Sequence, residues 1–419
     1  MKKLLPQSFA HRIDYLIVLL VALILRLAAS WYQGFNNLSF GDAADYIAAA
    51  QTLCDTADYP LRSSLPFFRA PGLPLTIAFA SGCHVTPMAA KLVLIIADSL
   101  TCLIIYSVGM QLSRRTARLA ALVYATSPFF IWQTVEISTE PLFTLLLLTS
   151  LSLLLSAQSG NKFFFSGAFL AIAALTRPFA LLLIPLWLWS SLISKKHSAA
   201  FLVLGIAVTF SPWIVFNYSR SGEFILVNDA GMYNLWRSNS PAMMLVDDTH
   251  SSEIFLKRSQ AFEHLSLAHT QRIYQQHPGT AFSARSDEWK RMFISDISES
   301  PTRFVRYLGE KSLRFWRPWL NPLSHSKTVV LASAAYFIFL YTGAFAGWLI
   351  LFRSNRSLAI FILFFCVTAW AGHVPFQVVT RFRTSLIDPL AIVLCADCLR
   401  SHRKLHHRNG SSNIGVACF

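Results

Sequence analysis

Apolar residues in this chain gather in long, nearly unbroken runs, without the short alternation that marks half-buried helices and strands of water-soluble proteins. Runs of about 17 to 25 residues suit a helix crossing a bilayer, and they fall near 13–32, 88–112, 117–133, 140–157, 163–176, 178–194, 198–216, 328–352, 356–373 and 384–399. The pattern predicts an all-α polytopic membrane protein with a bundle of about ten helices. The runs 163–176 and 178–194 are short and are divided by Arg177 and Pro178, so they read as half-helices or as helices that start deeper. The count stays even, which leaves both termini on one side.

Basic residues then give a direction, because Lys and Arg accumulate in short cytoplasmic loops. Lys2, Lys3 and Arg12 precede the first run. Arg114, Arg115 and Arg118, then Lys162, then Lys195 and Lys196, then Arg353 and Arg356, then Arg400, Arg403, Lys404 and Arg408 occupy every second connection. Both termini are expected in the cytoplasm, and the connections 32–87, 133–139, the turn at Arg177, 217–327 and 372–383 on the outer side. The division that follows is an N-terminal membrane module 1–216 containing a polar first loop 32–87, an outer helical lid 217–327, C-terminal membrane helices 328–399, and a basic tail 400–419. The first run is expected to stay in place, since it is too long for a cleaved signal peptide and lacks a small-residue cleavage site before the acidic loop.

Composition agrees with solvation by lipid. Only 14% of the residues are charged, where a soluble chain carries about a quarter. The net charge of +15 would suit nucleic acid if it were clustered, but it sits at the ends of the apolar runs, so no nucleic-acid partner is expected. His402, His406 and His407 belong to a basic tail suited to anionic lipid headgroups. Cys395 and Cys398 lie inside an apolar run with no second pair, which argues against a zinc or redox site. Cys54 and Cys83 share the first outer loop and could pair in an oxidising compartment. No metal cluster and no glycine-rich nucleotide loop is discernible, and no cofactor is expected.

Polar chemistry collects on the outer side. Asp42 stands at the start of a short surface helix over IAAAQTL, where it is either an ordinary N-cap or a catalytic carboxylate. Arg69 opens the rigid turn Arg69–Pro74, either as a snorkelling anchor or as a ligand-facing guanidinium. Glu136 and Glu140 flank Ser138 and Thr139 ahead of an apolar run, and two carboxylates four apart exceed what a helix dipole requires. Arg177, Arg381 and Arg383 bring cations to the side where the loop bias disfavours them. Guanidinium forks bind phosphate, so the set suits a lipid-linked phosphate.

These segments resemble the family 39 C-type glycosyltransferases, a group that includes protein O-mannosyltransferases and the lipid A aminoarabinose transferase. GDAADYIAAAQTL is similar to the first-loop signature of the family, with Asp42 and Tyr46 at its positions. RAPGLP, STEPLF, LTRPFALLLIP, PWIVFNYSRSGEFILVNDAGMYNLWRSNSP and TRFRTSLIDPL follow in the family's order from residue 12 to 399. Ala70 and Leu73 replace the usual Pro and Tyr, and no large outer domain follows the bundle, which points to the compact bacterial members. The resemblance implies an inverting glycosyltransferase of the inner membrane that moves a sugar from a polyprenyl-phosphate donor to a hydroxyl acceptor on a glycan, lipid or protein. It implies Asp42 as base, Glu140 as a second catalytic carboxylate, and Arg69, Arg381, Arg383 and Tyr46 at the donor. The competing readings are a multi-pass transporter or lipid flippase, and an O-antigen ligase or polymerase that uses a lipid pyrophosphate.

The topology is directly testable. A reporter fused at Asn239 should behave as exported and one fused after Arg403 as cytoplasmic; the reverse at either point contradicts the orientation.

Overall fold

The computed structural model describes residues 7–38, 41–60, 68–194 and 198–408, and the regular structure among them is helical throughout. Lys2, Lys3, Lys195 and Lys196 of the charge pattern lie outside the described residues, as do the side chains of His402, Arg403, Lys404, His406, His407 and Arg408 and all of 409–419. The order is α1 (Gln7–Gln33), α2 (Ala43–Thr56), α3 (Gly72–Ala80), α4 (Pro87–Met110), α5 (Arg114–Thr126), α6 (Pro128–Val135), α7 (Glu140–Leu155) and α8 (Gly160–Thr176). A 3-10 segment, Pro178–Leu183, leads to α9 (Ile184–Ser194) and α10 (Ser198–Ser221). The polar part holds α11 (Gly231–Arg237), α12 (Pro241–Asp247), α13 (Ser252–Gln276), α14 (Phe282–Glu299) and α15 (Pro301–Trp316). The chain returns to the bundle through α16 (Lys327–Ser354), α17 (Arg356–His373), α18 (Thr380–Leu386) and α19 (Asp388–Arg408).

Each of the ten apolar runs is helical, and the chain is a multi-pass membrane protein. Five helices, α1, α4, α10, α16 and α17, are long and apolar enough to span a bilayer by themselves. Others are shorter: the 16 residues of α7 reach about 24 Å at 1.5 Å per residue, a little under the hydrocarbon thickness. Two runs that read as continuous are divided. The run 117–133 breaks at Ser127, where Pro128 starts a new helix, because proline lacks the N–H that would continue the ladder. The run 384–399 holds the end of α18 and the first part of α19, which part at Ile387. Capping fixes other helix starts: Thr86, Ser326 and Asn355 accept hydrogen bonds from Ala89, Val329 and Leu358, satisfying amides that would otherwise lack partners.

Packing relies on small residues and on ion pairs. A Cβ on Gly167 of α8 would collide with the carbonyl of Leu202, and one on Gly205 of α10 with that of Phe164, so these helices approach at backbone distance. Arg26 of α1, fully buried, meets Asp98 of α4 at 2.5 Å and donates to the carbonyls of Ala22 and Ala125. Tyr124 of α5 donates to the other Asp98 oxygen at 2.6 Å. Three helices are thereby joined by one charged group and its partners. At the end of the bundle away from the cavity described below, Asp14 binds Arg114 and Arg118 at 2.9 and 2.8 Å.

Helices α11 to α15 cover the other end. They have a small core of Tyr233, Trp236, Ile273 and Trp289, while Phe282 and Phe315 join the core of the bundle itself. Asn239 donates to the carbonyl of Pro375 at 2.7 Å and accepts from buried Lys311 at 2.8 Å. This contact ties the polar helices to the connection between α17 and α18. Burial pushes the Lys311 pKa down to about 7.

Because Arg26 and Asp98 are completely removed from solvent, Asp98→Ala should destabilise the fold by about 3 to 5 kcal/mol by leaving an unpaired buried guanidinium. The double change Arg26→Met, Asp98→Leu should recover most of that loss. Thermal unfolding in detergent checks both.

Candidate active site

The polar loops that the sequence assigns to one side converge on a single cavity of about 830 Å³ at the covered end of the bundle. Its wall includes Asp42, Tyr46, Arg69, Glu140, Arg177, Asp229, Arg237 and Arg381. The wall draws on the first loop, α7, the break after α8, the connection after α10 and α18.

Asp42 does occupy the N-cap position of α2, yet its side chain makes no capping bond. It turns instead to Arg69, whose Nη2 lies 2.8 Å from Asp42 Oδ1 and 2.5 Å from Asp45 Oδ2. Asp45 also accepts from Arg69 Nε at 3.1 Å. The guanidinium stacks over buried Tyr46 at 5.5 Å. Main-chain contacts hold Arg69 in this attitude. Its carbonyl accepts from Tyr59 at 3.0 Å, and Gly72, three residues on, lies against Thr176 so closely that a Cβ would clash with the Thr176 backbone. The Arg69–Gly72 turn therefore rests on the last turn of α8, beside Arg177. A disulfide between Cys54 and Cys83 fastens the end of α2 to the residues after α3, joining the helix that follows Asp42 to the helix that follows Arg69.

A second charged group faces the same space. Glu140, nearly inaccessible, sits in the first turn of α7 and binds Arg177 at 2.6 Å and Arg381 at 3.3 Å through one oxygen, Oε1. Phe382 lies under both guanidiniums, 4.4 Å from that of Arg177 and 5.4 Å from that of Arg381. The break at Arg177–Pro178 is what turns Arg177 inward, since its extended backbone ends α8 before the 3-10 segment begins.

The two arginines of α18 part company. Arg381 lines the cavity with a third of its side chain, 33%, accessible. Arg383 has 1% exposed and does not line it. Its Nη1 donates to the carbonyls of Phe315 and Arg317 at 3.1 and 2.7 Å, and its Nε lies 3.6 Å from Asp388. The sequence puts both in the connection 372–383, whereas the structure has them on a short helix. Residues two apart on a helix differ by about 200° around the axis, so one arginine faces the cavity and the other faces the packing between α15, α16 and α19.

Three further polar residues, two of them in the wall, lie inside the quoted strings but carry no role in the sequence reading. Asp45 completes the carboxylate pair on Arg69. Arg237 of α11 pairs with Glu263 and stacks on Phe262 at 5.2 Å. Asp229 is a buried carboxylate in the connection after α10, and burial pushes its pKa up to about 7. The strings that resemble the family include all three, but nothing in their spacing singles them out from their neighbours.

Counting charges within hydrogen-bonded groups, one side of the cavity has two carboxylates on one guanidinium and the other has two guanidiniums on one carboxylate. The space is polarised in the make-up of these groups, carboxylates predominating around Arg69 and guanidiniums around Glu140, where Glu136 also acts on Arg381. Such a site can accept a proton at one side and hold an anion at the other.

Comparison with known proteins adds the following. A sequence profile described as dolichyl-phosphate-mannose-protein mannosyltransferase matches residues 69–216. Among solved structures, ArnT from Cupriavidus metallidurans bound to undecaprenyl phosphate aligns with 93% of this chain and 78% of its own, at 11% identity and a TM-score of 0.43. The apo form of the same protein aligns with 94% of this chain and 78% of its own, at 13% identity and a TM-score of 0.41. No curated protein sequence matches. The profile match contains Arg69, Glu140 and Arg177 of the cavity wall, so over residues 69–216 the chain is similar to that mannosyltransferase family.

Proposed function

We propose that this protein transfers a sugar from a polyprenyl-phosphate donor to a hydroxyl acceptor, with inversion, on the outer face of the membrane, with both termini cytoplasmic. The observation that carries the reading is the polarised cavity. Glycosyl transfer from a lipid phosphate needs a base at the acceptor hydroxyl and cations at the departing phosphate, and the carboxylates and guanidiniums of the wall are suited to both. The family description, which speaks of a dolichyl-phosphate-linked sugar, accords with a lipid monophosphate donor. A disulfide at the cavity end suits an oxidising compartment.

In the proposed reaction Asp42 takes the acceptor proton as the acceptor oxygen bonds to the anomeric carbon. The bond from that carbon to the phosphate oxygen breaks, and the lipid phosphate leaves with the electron pair. Arg177 and Arg381 neutralise the growing charge on the phosphate, and Glu140 holds both guanidiniums so that little reorganisation is needed. Arg69 orients Asp42, with Tyr46 supporting it from below. Arg383 serves the fold.

Purified protein given a labelled polyprenyl-phosphate sugar should release the lipid phosphate, while a transporter or flippase would leave the donor intact. Asp42→Asn should abolish release with normal membrane insertion, and near-parental release would remove Asp42 as base. Arg381→Ala should lower turnover about a hundred-fold, equivalent to roughly 3 kcal/mol, with Arg381→Lys recovering only part because a point charge replaces the fork. Arg383→Ala should instead lower the unfolding temperature, because it takes the cation from Asp388 and the donor from two buried carbonyls. Equal kinetic effects at the two positions would contradict this division.

A further inference from the structure

Arg69 is the pivot of the acidic side, yet the segment that carries it, Phe68–Pro71, has no helix of its own. The Phe68 amide precedes α3 and therefore needs a partner from elsewhere. That partner is Asp229, whose Oδ1 accepts from Phe68 N at 3.1 Å across 161 positions of sequence. Asp229 is itself held by the polar helices. Its Oδ2 lies 3.9 Å from Arg285 of α14, and Arg285 is fixed by bonds to the carbonyls of His277 and Gly279 at 3.1 and 2.9 Å. The side chains run in parallel with this path: the Phe68 ring packs against Phe282 of α14 at 5.3 Å and Trp213 of α10 at 6.3 Å. Two peptide groups further along, Tyr59 holds the Arg69 carbonyl.

We infer that Asp229 is a positioning residue for Arg69, a strut through which the polar helices set the guanidinium that orients Asp42. The role in turnover rests on the transferase reading above; the strut itself does not. Arg69 has its main chain pinned on both sides, by a carboxylate from the connection after α10 and by a phenol from the first loop. A displacement of α14 would reach Asp42 through Arg285, Asp229 and Phe68 in turn.

The strut is also sensitive to protonation. Burial raises the Asp229 pKa to about 7, the Phe68 amide and Arg285 oppose that rise, and Glu223 of the same connection adds to it. Deprotonation makes Asp229 a stronger acceptor for Phe68 and a true ion-pair partner for Arg285. Ordering of Arg69 should therefore increase as pH rises through about 7.

Amide hydrogen exchange on the whole protein in detergent, combined with donor turnover, tests the inference. Asp229→Ala should raise exchange at the Phe68 amide about ten-fold or more with α14 still protected, and should lower kcat for a labelled polyprenyl-phosphate sugar more than it changes KM. Asp229→Asn retains an acceptor oxygen, so exchange should stay near the parental value while the rise of kcat through about pH 7 flattens. Unchanged exchange in Asp229→Ala would overturn the strut. Raised exchange with parental kcat would overturn the positioning role, and a persistent pH step in Asp229→Asn would overturn the part played by its charge. If the parent protein releases no lipid phosphate at all, the transferase reading falls, and the exchange measurement still decides the strut.

Discussion

The cavity depends on one carboxylate shared by two guanidiniums. Glu140 binds Arg177 and Arg381 through a single oxygen, and in doing so it joins the start of α7, the break after α8 and the turn of α18. Unshielded, the two cations would repel strongly at the reduced dielectric of a buried site, and each would be drawn toward water. With Glu140 between them, and Glu136 near enough to act on Arg381, they remain at the wall. The first loop depends on the same place, because the Arg69–Gly72 turn rests on Thr176, the residue before Arg177. The acidic side of the cavity is therefore located by contact with the basic side.

Elsewhere in the bundle charge is handled differently. Arg26 and Asp98 close on each other with Tyr124 and two carbonyls, and Arg383 closes on two carbonyls and Asp388. These groups are sealed off from solvent, and their partners use the charge in holding helices together. The groups of the cavity are paired too, but they retain accessible surface: Arg381 and Asp42 keep about a third of theirs. Accessibility, more than the presence of an ion pair, separates the arginines that can meet a ligand from those that hold the fold.

The helical runs were legible in the sequence because lipid demands long apolar stretches, and the convergence of the polar loops was legible because they alternate with basic ones. Asp42, Tyr46, Arg69, Glu140 and Arg381 all reach one cavity. The helix breaks at Ser127 and Ile387 were hidden, since the apolar pattern continues across both. Arg383 was misleading for a geometric reason: its distance from Arg381 along the chain says nothing about facing until the turn of α18 is known. Asp229 was invisible as a partner of the first loop because the contact spans 161 positions and rests on a backbone amide, which leaves no trace in side-chain type. The pairing of Cys54 with Cys83 stood as one option in sequence and is the pairing in the structure.

The central claim is that the basic side of this cavity holds a lipid-linked phosphate and the acidic side receives the acceptor. Its most direct test is an experimental structure of the protein with a polyprenyl monophosphate bound. The account expects phosphate oxygens within hydrogen-bonding distance of Arg177 and Arg381, the isoprenoid chain leaving the cavity toward lipid, and Asp42 facing the phosphate across open space. A phosphate seated away from both arginines, or bound at the opposite end of the bundle near Asp14, would contradict it.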